Sequence, residues 1–154
     1  MKEEEDGLMN FGWINWINIA AVGFLITVNI IAAKKRASEN FRSQYLMINI
    51  LEQIGRYGSI VFMIFPIFTK RWEFSFMSVG EMLVWICGTV LLLTVYGFLW
   101  MKKSAGGASV LYGLALTPVI LFLMNGILLR HPALILSSFL FGVSHLIIVK
   151  ENRG

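Results

Sequence analysis

Charge is scarce in this chain. Only 14% of its 154 residues are Asp, Glu, Lys or Arg, against about 25% in an ordinary soluble domain. With 57% hydrophobic residues and a mean hydropathy of +0.73, the apolar excess is too large to hide in a core of this size. Part of the solvent must be lipid. Cysteine is nearly absent: Cys87 alone excludes an intramolecular disulfide and a cysteine-rich metal site. It lies in an apolar run, where it reads as a small buried hydrophobe. Two histidines far apart in sequence, His131 and His145, make a poor metal pair. No phosphate loop ending in Gly-Lys-Ser/Thr, no His-Glu-x-x-His and no Gly-x-Ser-x-Gly occurs. No catalytic set, metal or cofactor is therefore assigned. The net charge of +4 invites a nucleic-acid reading. The cations cluster at the ends of apolar runs instead, and no basic face interleaved with aromatics appears, so nucleic acid is excluded as a partner.

What the chain does have is long apolar runs. Five reach or approach the roughly 20 residues that cross a bilayer: Phe11–Ala33, Tyr45–Thr69, Val79–Met101, Ala108–Leu129 and Ala133–Val149. The fifth is short, and runs four and five also read as one tight hairpin turning at Arg130-His131-Pro132. The connections leave no room for a soluble domain. The expectation is all-α: one polytopic transmembrane bundle of five spans, occupying residues 1–154. The acidic start, Met1 to Gly7, lacks the basic region of a secretory signal, so the first run reads as a retained helix.

Short-loop cations set orientation. Lys34, Lys35, Arg36, Arg42, Lys102, Lys103, Lys150 and Arg153 lie on one side. Lys2, Lys70, Arg71 and Arg130 lie on the other. The richer side is expected to be cytoplasmic, with the N-terminus outside and the C-terminus inside. Trp13, Trp16, Trp72 and Trp100 fall near the expected interfaces, as amphipathic aromatics do.

Arg56 stands where a charge should not be, midway along the second run. An arginine at the centre of a spanning helix costs roughly 2.5–3.5 kcal/mol on insertion scales. Glu52 lies one turn earlier, at ion-pair spacing. At about 100° per residue, Tyr45, Asn49, Glu52, Arg56, Ser59 and Met63 share a narrow face, bordered by Gln53. Ile50, Ile54, Val61 and Phe65 lie opposite. Such a face turns away from lipid. In the first run Asn15, Asn18 and Asn29 share an arc, and Asn29 lies at a depth comparable with Asn49 and Glu52. In the fifth, Ser138, Gly142 and His145 share a face, which brings His145 within reach of Glu52 if the two helices touch. The expected polar cluster is Asn49, Glu52, Gln53, Arg56, His145 and Asn29. In run four, Ser109, Gly113 and Thr117 form a small-residue stripe that permits close helix packing. A second polar group, Glu81, Asn125, Arg130 and His131, is expected at the outer side, with Glu81 meeting Arg130 or Arg71.

At Asn49-Ile-Leu-Glu52-Gln53-Ile-Gly55-Arg56-Tyr57-Gly58, and at Leu129-Arg130-His131-Pro132 with Phe141-Gly142 and His145, the chain resembles small multi-pass membrane proteins of Gram-positive bacteria that have no assigned activity. The resemblance spans runs two to five. It implies a bacterial plasma membrane and carries no function across. Three functions compete. The polar pocket binds or moves a small polar or anionic ligand, a lipid headgroup or a proton. Alternatively the chain is an accessory or immunity-type partner of another membrane protein, with a structural polar cluster. Or it is a membrane-embedded enzyme on a lipid-like substrate, with Glu52 or His145 as acid or base and Arg56 holding a phosphate. The expected partners are the bilayer and either a second copy or another membrane protein.

Overall fold

The computed structural model describes residues 9–10, 14–35, 42–69, 75–76, 78–103 and 107–152. Five helices account for nearly all of them: α1 (Trp16–Lys35), α2 (Leu46–Ile64), α3 (Val79–Lys102), α4 (Ala108–Leu128) and α5 (Pro132–Glu151). Two strands of two residues each, β1 (Met9–Asn10) and β2 (Ser75–Phe76), pair antiparallel with Met9 opposite Phe76.

Among the described residues, α3, α4 and α5 are long and apolar enough to cross a membrane. The apolar part of α1, Trp16–Ile31, is shorter. Helix α2 is 19 residues long but less apolar, because Asn49, Glu52, Gln53 and Arg56 all lie on it. Three spans thus stand on length and composition, where the sequence suggested five. Large apolar side chains cover the outside of the bundle, Leu83, Leu91, Leu136 and Phe139 each more than half exposed. In water such a surface would drive aggregation; in lipid it is the solvated face.

Helix boundaries differ from the apolar runs for local reasons. The second run was expected to continue to Thr69, yet α2 stops at Ile64. Pro66 has no N–H to continue the ladder and disfavours a helical Phe65, which is extended at ψ 134°. The fifth run begins one residue early and ends two residues late. Pro132 takes the first helical position, which suits its fixed φ, and His131 caps it by accepting from Leu134 N. Only Leu129, Arg130 and His131 link α4 to α5, with Arg130 at φ 51°. Residues 11–13 of the first run, and Lys34, Lys35 and Arg36 as side chains, lie outside what is described. So do Lys2, Lys70, Arg71, Arg153, Trp13 and Trp72.

Helix α2 packs most extensively on α5. Helix α4 covers α5, α3 covers α4, and α1 leans on α3 and α2. The α2–α5 contact depends on Gly55, where a Cβ would overlap the Phe141 backbone. The core between the helices is apolar: Val22 and Leu25 from α1, Met63 from α2, Leu121 and Phe122 from α4, Leu134 and Phe141 from α5. The stripe on α4 serves packing: Gly113 faces Leu99, and the Thr117 hydroxyl donates back to Gly113 O.

Candidate functional site

The buried face of α2 consists of Glu52, Gly55, Ser59 and Met63. Glu52 is 2% exposed, and three side chains converge on it. Arg56 Nη2 donates to Oε1, and Gln53 Nε2 donates to Oε2 at 3.0 Å. His145 Nδ1 of α5 lies 3.2 Å from Oε1, at ion-pair distance but outside hydrogen-bond geometry. Phe141, one turn before His145, stacks on its ring at 5.0 Å. The other side of that aromatic pair is charged: the Arg56 guanidinium lies 5.7 Å from the Phe141 centroid. While Glu52 is closed in, the Arg56 side chain is 39% exposed.

Depth explains why these residues meet. Glu52 and His145 stand six residues from Leu46 and Glu151, the ends of α2 and α5 on the same side of the bundle. At 1.5 Å per residue, that is about 9 Å in. Asn29 and Tyr96 stand six residues from Lys35 and Lys102, the ends of α1 and α3. Four helices therefore place a polar group at one level. Only α4 has an apolar residue there, Leu114. Tyr96 donates to Asn29 Oδ1 at 3.0 Å and lies within Coulombic reach of Arg56.

Two members of the expected cluster are elsewhere. Asn29 is exposed and joins α1 to α3 through Tyr96, because α1 lies beside α3 at this level; it does not touch Glu52. Asn49 is one turn nearer the helix end. It organises the chain entering α2, accepting from Ser43 N at 2.9 Å and donating to Ser43 O and Tyr45 O. Gln53 touches Glu52 but is exposed. Tyr96 and Phe141 were not anticipated. The signal for Tyr96 was its level, counted back from Lys102; for Phe141 it was its four-residue spacing from His145.

At the other end of the bundle the polar groups serve the backbone. Ending α2 at Ile64 leaves its last carbonyls without intrahelical donors, a costly state away from water. Asn18 Nδ2 donates to Met63 O at 2.8 Å, Asn15 N to Ile64 O at 3.1 Å, and His131 Nε2 lies 3.2 Å from Phe65 O. His131 accepts at Nδ1, so Nε2 carries the hydrogen. Its burial pushes the pKa down from the usual value, against the raising effect of the Phe65 carbonyl. Ser59 bonds Ser137 and approaches Ser138 at 3.4 Å. Asn125, fully buried, accepts from Trp85 Nε1 at 2.6 Å. Glu81 meets Arg130 at 2.7 Å, with both side chains partly exposed. Glu81, Asn125, Arg130 and His131 thus divide into a partly exposed ion pair and two buried structural anchors.

No family model, curated protein or solved structure matches the chain. The chemistry must be argued from the site itself. Among the described residues no three of His, Cys, Asp and Glu gather as metal ligands.

Proposed function

We propose that the chain is a five-span protein of the bacterial plasma membrane that binds a singly charged oxyanion at Arg56, with its N-terminus outside and its C-terminus in the cytoplasm. Span assignment rests on α3, α4 and α5 as membrane-crossing helices, with α1 and α2 packed against them. Orientation rests on the cation asymmetry of the loops. The observation that carries the binding reading is the unequal burial of one ion pair. Glu52 is sealed, while Arg56 keeps an exposed guanidinium with donors to spare. Its Cα lies ten residues from Leu46, about 15 Å along the helix, and its side chain leans back toward that end. Glu52 balances the charge of Arg56, but the guanidinium N–H groups that face away from Glu52 still need acceptors at this depth. Arginine matches the planar, forked geometry of phosphate-type oxygens. Glu52 fixes one edge of the guanidinium and Phe141 one face, which leaves the remaining N–H groups for the ligand.

A lipid headgroup and a free anion offer the same chemistry. Purified protein would be titrated with short-chain phosphatidylglycerol, short-chain phosphatidylcholine and methanesulfonate, following melting temperature. A ligand at one hundred times its Kd stabilises by about 2.7 kcal/mol. The expected result is a rise with phosphatidylglycerol, with methanesulfonate or with both, none with phosphatidylcholine, and no rise in Arg56→Gln. The first two arms tell lipid from free anion. Absence of any rise in folded wild-type protein overturns the reading. Cysteines at Glu5 and Asn152, labelled in intact cells, test the orientation; labelling of the second site alone reverses it.

The closed packing of Glu52 favours a second reading. The cluster is then structural, and Arg56 meets an acidic side chain of a second copy or of another membrane protein. In that case no anion stabilises the purified chain.

A further inference from the structure

We infer that the anion enters together with a proton, which settles on His145; this rests on the anion reading of Arg56. Two nitrogen groups face one oxygen. Arg56 Nη2 holds Glu52 Oε1, and His145 Nδ1 lies 3.2 Å from the same atom. The other oxygen is occupied by Gln53. His145 Nδ1 is buried against that carboxylate but outside hydrogen-bond geometry, so a better-aligned bond to Oε1 is still open to it.

Charge balance supplies the coupling. With His145 neutral, Glu52 and Arg56 sum to zero. An added anion leaves the layer with a net negative charge, which a low-dielectric site disfavours strongly. A proton taken from bulk water onto His145 Nδ1 restores neutrality. The protonated ring then donates to Oε1, taking the place of Arg56, and the guanidinium turns further toward the anion. Among the described residues the other candidate is Glu52 itself, whose two oxygens already accept from Arg56 and Gln53. On α2 the titratable groups of the layer are Glu52 and Arg56 themselves. Helix α4, the other helix packed on α5, has no charged residue and one titratable group, Tyr112. Across the layer on α3, Tyr96 is a phenol that already holds its proton at neutral pH. Lys150 and Glu151 lie at the end of α5, more than a turn away. By linkage, anion and proton must then raise one another's affinity by the same factor.

The test uses full-length protein in weakly buffered detergent, with methanesulfonate and short-chain phosphatidylglycerol as probes, since neither titrates near pH 7. A pH-indicator dye reads proton uptake, and affinity is measured from pH 5.5 to 8. Binding should take up close to one proton. Affinity should weaken as pH rises, by up to tenfold per pH unit where one proton is taken up. In His145→Gln, binding should persist at a weaker, pH-independent level without uptake. Wild-type binding with no proton uptake overturns the coupling and leaves the Arg56 site standing. Undiminished uptake in His145→Gln assigns the proton to Glu52 and overturns the role of His145. No binding of either probe at any pH overturns the Arg56 reading and the coupling with it. The wild-type uptake measurement stands alone should His145→Gln fail to fold.

Discussion

Around Met63, Asn15 and Asn18 meet carbonyls of the α2 end. Around Glu52, a carboxylate, a guanidinium and an imidazole meet one another. Both regions bury polar groups in an apolar bundle, for different reasons. The first is neutral, and each bond answers a backbone need created by Pro66. Without Asn18 the α2 end would hold a bare carbonyl; with it the need is met. The second is charged, and no backbone need explains it. Leucines at 52 and 56 would continue α2 as well as the present residues do. Leftover bonding capacity occurs in both regions, at His145 Nδ1 here and at Asn15 Nδ2 and Asn18 Oδ1 in the first, so it does not tell them apart. Burial of polarity alone does not mark a functional site. Polarity that the fold does not require is the stronger sign.

The contrast breaks most sharply at the ion pair. Removing one partner of a buried pair typically costs about 3–5 kcal/mol, while replacing both with apolar groups is often nearly neutral. Arg56→Met leaves a sealed carboxylate and should lose about 3 kcal/mol or more. Glu52→Gln leaves a partly exposed arginine that can reach toward the headgroups, and should lose less. The double change should recover much of the loss. A double-mutant cycle on melting temperature reads the coupling. Additive losses would mean that the two charges are not a unit, and the distinction between the two regions would disappear.

The neutral region should respond differently. Asn18→Leu strands Met63 O, and Asn125→Leu strands Trp85 Nε1. Each should lose about 1–3 kcal/mol, the cost of an unpaired buried polar group. Neither change should alter anion binding or its pH dependence. If Asn18→Leu shifted either, the two regions would be coupled rather than separate.

His131 gives the structural end its own pH signature. The folded state holds its ring neutral, since Nδ1 must accept from Leu134 N and burial opposes the charge. Its pKa is therefore lower folded than unfolded. The unfolded chain takes up the proton first as pH falls, so stability is full above an unfolded pKa of about 6.5. It declines below that, until the folded ring also titrates. Stability should therefore fall between pH 7 and pH 5. His131→Asn keeps a capping acceptor and should remove that part of the pH dependence. Wild-type and variant curves of identical shape would contradict it.

Much of the charged region was readable from spacing. Glu52 and Arg56 are four apart on one helix, and counting inward from helix ends brings His145 level with Glu52. What counting does not give is lateral order. Nothing in a one-dimensional pattern says that α1 lies beside α3 at this depth, so Asn29 was assigned to the wrong neighbour. Tyr96 was hidden for a related reason: one hydroxyl hardly registers in a run as apolar as α3. The early end of α2 escaped because Phe65 to Thr69 stays apolar, and hydropathy is blind to the N–H that Pro66 lacks. Asn15 and Asn18 were read as sharing an arc with Asn29; the Asn18 amide and the Asn15 backbone N–H meet the α2 end. Their targets are carbonyls, which a sequence does not display as unsatisfied until the helix end is known.

The smallest effect belongs to Glu81 and Arg130, the ion pair at the far end of the bundle from Glu52. It has the shorter contact that a charge-assisted bond should have, 2.7 Å, and it joins α3 to the turn between α4 and α5. Yet its side chains are 31% and 46% exposed, and pairs in that setting contribute typically about 0.2–1 kcal/mol. Arg130 also occupies a left-handed backbone position, φ 51°, which an L side chain adopts at some cost. Arg130→Gly therefore removes the pair and relieves the backbone together, and the two effects should nearly cancel. Arg130→Gln keeps the backbone cost and loses only the charge, so it should be the less stable of the two. Raising salt to about 1 M should shrink the gap between wild type and Arg130→Gln, because screening reaches exposed charges first. It should leave the Arg56→Met loss largely unchanged. A salt response of equal size at both pairs would show that the Glu52 site is as open to solvent as this one, and would remove the low-dielectric argument on which the charged layer depends.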